Sequence, residues 1–231
     1  MKRFGTLFSL FLFCVAMFSQ GSEGYIQQRK GSRVRYAVIY ANKLRGHVER
    51  TVTDVSDDGG KHKVTHLYTM LNKKGKPSKS AALMGAGDGM QTSVTVEDGA
   101  YYLTLDLMYG SMGNDNRSGY LLKMPKTLKV GDELEGGTLK ASMKFMGSTI
   151  NNEVTFKNFK VTEETTLQTK AGDIKCLKIT GRITGRVSRQ NVDEEQTLYV
   201  APGIGIVRQE AMNYMGSKTP YLSEVTEIEG I

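Results

Sequence analysis

The sequence predicts an all-β protein: a large, curved antiparallel sheet forming an open or half barrel, with little helix beyond an export leader. Three observations predict it. Apolar and polar residues alternate at period two almost everywhere after residue 30. No apolar stripe at three-to-four spacing lasts more than about one turn after residue 25. The chain also carries 26 glycines in 231 residues, about 11 per cent against a usual ~7 per cent, as many tight turns require. Strands recurring every ~8–12 residues make a sheet that must curl into a barrel or fold over itself.

The leader comes first. Lys2 and Arg3 precede an apolar run, Phe4 to Phe18, and Ser19-Gln20-Gly21 offers small residues for cleavage. Fifteen residues rise roughly 22 Å as a helix, short of the ~30 Å hydrocarbon core, so the run reads as a cleaved signal and not as a transmembrane span. Cys14 is not a lipidation site, because it lies deep in the run behind bulky Phe13. The division is residues 1–21 as signal peptide and 22–231 as a single antiparallel β domain, long enough to bury a core.

Val34, Tyr36, Val38 and Tyr40 share one face of a first strand. Asp57-Asp58-Gly59-Gly60 reads as a hairpin turn between strands ending near Val55 and starting near Val64. Lys73-Lys74-Gly75-Lys76-Pro77 closes the second of these. Val94 and Val96 lead into Glu97-Asp98-Gly99, with Tyr101, Leu103, Leu105 and Leu107 following on one face. Asp106–Met112 is the one candidate turn of helix. Leu139, Ala141, Met143 and Phe145 alternate with Lys140, Ser142 and Lys144, as a strand with one wet face does. Val154 and Phe156 slip to Phe159 and Val161, which predicts a bulge at Lys157-Asn158. Lys170-Ala171-Gly172-Asp173 is a turn, Asp193-Glu194-Glu195 separates two further strands, and Tyr199-Val200 runs into Pro202-Gly203.

Composition narrows the function. Losing Lys2 and Arg3 lowers the formal charge of +7 by two, and the basic residues are scattered, so nucleic acid is excluded as a partner and a solvated surface is the plain reading. With Cys14 in the leader, Cys176 stands alone: no intramolecular disulfide forms, and the thiol reads as buried and inert. His47, His62 and His66 fall within twenty residues, but four residues on a strand span ~13 Å, so they read as solvated histidines and not as zinc ligands. Asp54, Asp58 and Gly59 lack the closing glutamate of a calcium loop. Gly110-Ser111-Met112-Gly113 lacks the spacing of a nucleophile elbow, and Gly85, Gly87 and Gly89 lack a phosphate-loop lysine. The chain has no tryptophan to stack on a sugar. No metal, cofactor or catalytic residue is predicted. Methionines such as Met70, Met143 and Met212 suit either an adaptable apolar cavity or ordinary core filling.

Four segments resemble one family. They are Lys30-Gly31-Ser32 with Tyr36; Pro125 with Leu128-Lys129-Val130-Gly131-Asp132-Glu133-Leu134; Thr169-Lys170-Ala171-Gly172-Asp173-Ile174-Lys175-Cys176; and Tyr199-Val200-Ala201-Pro202-Gly203-Ile204-Gly205. In order and spacing they are similar to the TapB-like exported bacterial proteins, related to a large bacterial domain family of unknown function. The resemblance covers the chain from about residue 30. It implies an antiparallel fold like the open barrel of lipoprotein carriers, and no established reaction. Ile174 replaces the family's usual aromatic, and the second cysteine that relatives bring near Val94–Tyr101 is missing. Physically, Gly131, Asp132, Gly172, Pro202, Gly203 and Gly205 are turn residues, with Cys176 and Tyr199 on flanking strands: motifs of fold, not of chemistry.

The expectation is a non-enzymatic exported protein, soluble in the periplasm or at the outer membrane or beyond. Its concave face would hold a lipid or other apolar small molecule against Tyr36, Tyr40, Met70, Leu105, Met143 and Phe145. The alternative is a structural or interaction module with an envelope protein as partner and no small-molecule ligand.

Overall fold

The computed structural model describes residues 24–58, 61–79, 89–97, 100–103, 116–145, 148–187, 190–212 and 218–231; the side chains of 58, 116–117, 143–145 and 148 stand outside that description. The leader, Leu105 and the candidate helical turn at Asp106–Met112 therefore lie outside the described residues.

Among these residues fourteen strands form one antiparallel sheet that is not closed into a barrel. They are β1 (Arg33–Tyr40), β2 (Lys43–Asp58), β3 (Lys61–Leu71), β4 (Met90–Glu97), β5 (Ala100–Leu103), β6 (Asn116–Gly119), β7 (Leu122–Pro125), β8 (Glu133–Leu134), β9 (Thr138–Phe145), β10 (Ser148–Thr169), β11 (Gly172–Val187), β12 (Gln190–Ala201), β13 (Gly205–Ala211) and β14 (Tyr221–Glu229). Neighbours run β6-β9-β10-β11-β12-β13-β14-β1-β2-β3-β4-β5-β7, with β8 paired to β10. The chain thus makes two meanders, and β1 joins them by pairing with both β14 and β2.

The end at β7 is not bare. Residues 135–137 run between β7 and β10: Lys123 N donates to Glu135 O and Gly137 N to Leu121 O, both at 2.9 Å. On the other side Phe156 N donates to Gly137 O at 2.9 Å. A Cβ on Gly136 would sit 2.0 Å from Phe156 O, so only glycine fits this passage. A few bonds around a two-residue strand therefore stand where a full ladder would close the wall.

The period-two pattern builds the core. Leu139 and Ala141 are buried on β9 while Lys140 points out. The bulge falls where the sequence slips: register shifts between Lys157 and Lys160, and Asn158 takes φ +56°. That extra residue turns both Phe156 and Phe159 inward, where their rings stack at 5.1 Å. Each is 1 % exposed and contributes roughly 1.5–3 kcal/mol by burial, with about 1 kcal/mol more from the stack. A second shift, between Val161 and Glu163, has no counterpart in the sequence reading.

Turns fall at 129–132, at Lys170-Ala171 between Thr169 and Gly172, and at 202–204 between β12 and β13. Asn72 caps the end of β3 by accepting from the backbone N of Lys74 and Lys76. The strands beside Gly59-Gly60 are longer than expected, reaching Asp58 and Lys61.

One element expectation is overturned. Asp193-Glu194-Glu195 does not separate two strands; it lies inside β12. Glu194, 2 % exposed, sits in phase with buried Val192, Gln196, Leu198 and Val200. An acidic triplet resembles a turn in composition, but parity holds Asp193 and Glu195 out and Glu194 in. Cys176 is buried against Leu167 and Ile174, and burial pushes its thiol up. No helix among the described residues is long and apolar enough to cross a membrane.

Candidate binding site around Arg50

Parity also puts a cation in the interior. β2 turns Gly46, Val48, Arg50 and Val52 inward, so Arg50 takes a core position and is 8 % exposed. β3 does the same with Val64, His66 and Tyr68, β1 with Tyr36, and β5 with Tyr101. Between them lies an arm, Gly24 to Gln27, buried throughout.

The site holds that arm by its oxygens. Tyr101 OH donates to Tyr25 O, and Gly203 N to Gly24 O at 2.9 Å. His66 Nε2 lies 3.0 Å from Gln27 O. Arg50 Nε donates to Gln27 Oε1 at 3.2 Å, and Gln27 Nε2 donates to Ser32 Oγ at 2.7 Å. Arg50 Nη2 donates to Ile204 O, its guanidinium stands 5.5 Å over the Tyr36 ring, and Tyr36 OH donates to Ile206 O at 2.9 Å. Gly205 has φ +90°, and a Cβ there would meet Tyr25 O at 3.1 Å and Arg50 Nη1 at 3.5 Å. The glycine serves two ends: it turns the chain and lets the loop press against Arg50.

The groups around Arg50 are neutral. Burial pushes Tyr36 up to about 12, against the pull of Arg50, and burial pushes Tyr101 up further. Burial, and then Arg50, pull His66 down to about 4, partly opposed by its bond to Gln27. A carbonyl only accepts, so His66 Nε2 carries the ring proton and Nδ1 is an acceptor without a partner among the described residues. The expectation that His66 is solvated is therefore overturned; it is 2 % exposed. Half-buried His62 instead pairs with Asp57 at 2.8 Å. Arg50 remains a guanidinium at any pH the fold survives.

A cavity of about 30 Å³ remains beside Arg50, His66, Tyr68, Tyr101 and Gly205. A far larger hollow, about 950 Å³, opens on the β6–β9–β10–β11 region. Most of its lining points away from the core: Ser142, Asn151, Thr155 and Thr184, with Lys140 and Glu153 paired at 3.5 Å. Ser142 Oγ donates to Asn151 Oδ1 at 2.8 Å. A second inward polar chain runs from Glu194 to Gln196 to Gln209, through amide donations of 3.3 and 3.0 Å.

Of the six residues expected to line an apolar ligand, Tyr36 joins the Arg50 site. Tyr40 is half-buried under Arg45, 5.4 Å from its ring, and Met70 packs at the edge of a small cluster with Val48, Tyr68 and Met90. Leu105 lies outside the described residues, as do the side chains of Met143 and Phe145 on β9. The turn residues Gly131, Asp132, Gly172, Pro202 and Gly203 sit at strand ends, and Tyr199 lies under Arg208, 5.8 Å away. Sequence reasoning missed Arg50, His66 and the arm. The signal was present: Arg50 shares parity with Val48 and Val52, and His66 with Val64 and Tyr68. Among the described residues, no three His, Cys, Asp or Glu side chains form a cluster able to hold a metal.

A single open all-β sheet wrapped around a core with its own polar layer defines the class of protein. The chain belongs to the DUF3108-like family, whose model matches residues 29–222. A solved structure from Bacteroides fragilis, described as an exported protein with a YmcC-like fold, shares the fold with a TM-score of 0.70 at 19 % identity, covering 90 % of this chain and 100 % of that one. A lipoprotein structure from Parabacteroides distasonis matches with a TM-score of 0.62 at 14 % identity, covering 90 % and 99 %. No curated protein matches the sequence.

Proposed function

We propose that the protein is a non-enzymatic, exported component of the cell envelope that works by docking a polar partner, a protein or peptide, in the hollow beside edge strand β6. The leader motif and the exported and lipoprotein relatives support export; the four motif segments support a TapB-like member within the family. No nucleophile–base pair among the described residues supports catalysis. The observation that carries the reading is the contrast of spaces. Small-molecule pockets occupy about 300–1,000 Å³ and are mostly apolar. The inner cavity beside Arg50 offers about 30 Å³. The larger hollow is open, and hydroxyl, amide and charged groups line it beside Ala141, Ile150 and Gly185, a mixed wall that suits a peptide's polar and apolar groups better than a lone acyl chain. An edge strand with no partner on its outer side among the described residues adds main-chain hydrogen bonds to such contacts.

A photo-crosslinker at exposed Asn151, with one at exposed Lys175 as control, tests this in intact cells. A discrete protein adduct at position 151 and none at 175 is expected, and the purified protein should give a bare mass in native mass spectrometry. A stoichiometric lipid on the purified protein, with no adduct at 151, would replace this reading with the apolar-ligand one.

A further inference from the structure

The structure assigns a second site inside the sheet: we infer that the cavity beside Arg50 binds one small monovalent anion of halide size. The inference stands apart from the role of the outer hollow.

Charge balance is the first argument. Arg33, Arg35, Arg182 and Arg208 each meet a carboxylate on the surface. Arg50 is more deeply buried than any of these, and among the described residues no carboxylate pairs with it. Its partners are the amide oxygen of Gln27, the carbonyl of Ile204 and the Tyr68 side chain, all neutral. A buried charge without a counter-charge costs several kcal/mol, and neutral acceptors offset only part of that. The guanidinium has five N–H donors, more than these three partners use.

Geometry is the second argument. The guanidinium lines a cavity, and Tyr25, Tyr68, Tyr101 and His66 share that lining with no acidic side chain among them. A space of about 30 Å³ is roughly two water-sized probe volumes, enough for a monatomic anion and too small for phosphate. Water is the competing occupant, because a space of this size walled by several polar groups can also hold it.

A halide series separates the two, since a water site is indifferent to anion identity. Thermal melts of the purified protein in sodium chloride or bromide, against sodium gluconate at equal ionic strength, should show a saturable halide-specific rise. It should reach roughly 3–5 °C at tenfold saturation. In Arg50→Met the rise should vanish. Bromide-soaked crystals of the unaltered protein give a direct reading that does not depend on the variant folding: an anomalous peak beside the guanidinium is expected. Identical melts in halide and gluconate, or bromide peaks on the surface only, overturn the inference.

Discussion

The arginines of the outer wall and the arginine of the interior solve opposite problems. Outside, Arg35 donates to Glu49 at 2.8 and 3.1 Å and pairs with Glu227 at 2.7 Å, and Arg208 grips Glu224 across the β13–β14 pair. These cross-strand pairs lie in or near water, where each is worth little. Inside, Arg50 has no carboxylate among the described residues, only oxygens of neutral groups and the face of a tyrosine. The comparison teaches that charge tells little about importance here; burial decides. A surface ion pair can be lost without consequence, while a buried guanidinium organises an arm, a loop and three strands around itself.

The largest effect should therefore follow Arg50→Ala. It empties a core position and leaves Gln27 Oε1 and Ile204 O without their donor. The emptied core position and the two orphaned acceptors together cost about 2–5 kcal/mol, read as a lower urea midpoint with unchanged slope. A loss under 1 kcal/mol would erase the distinction between the two classes of arginine.

Next comes acid. The folded value for His66, about 4, lies below its unfolded value of about 6.5, so the unfolded chain binds the proton more readily. The stability from neutral His66 is complete above about pH 6.5 and is lost as pH falls towards 4, by up to about 3 kcal/mol. Denaturation curves at pH 7.5 and 4.5 should show this loss, and His66→Asn should remove most of it. An unchanged difference in the variant would assign the acid sensitivity elsewhere.

Asn158→Val probes the bulge. A β-branched residue at φ +56° should cost about 1–2 kcal/mol, while Asn158→Gly should leave the melting temperature nearly unchanged. The smallest effect is expected at the exposed pair of Arg182 and Asp193: Arg182→Ala should give no resolvable change in melting temperature despite a 2.6 Å contact. A clear drop there would narrow the gap between wall and interior.

How much of this was legible follows from what parity can and cannot carry. The alternation through Leu139 and Ala141, the slip at Lys157-Asn158 and the turns at 129–132 and 202–204 depend on local geometry, so their residues announce them. Glu194 and Arg50 were misread or passed over because residue type was weighed above position. Both sit at inward parity, and a strand cannot turn one residue outward without turning its neighbours. The arm at Tyr25–Gln27 has no alternation to read. Its place is set by partners on β2, β3 and β5 and by the loop after β12, contacts that no local pattern encodes.

One feature of the topology bears on when this protein can fold. Strand β1 finds half its ladder in β14, and the bond from Arg33 to Glu229 joins residues 196 positions apart. Until the last strand exists, the first presents an unsatisfied edge, and closing so long a stretch of chain is slow. A polypeptide that cannot finish its sheet early stays open until its C-terminal strand is available to pair. Removing the final ten residues should leave that edge exposed and the product prone to self-association.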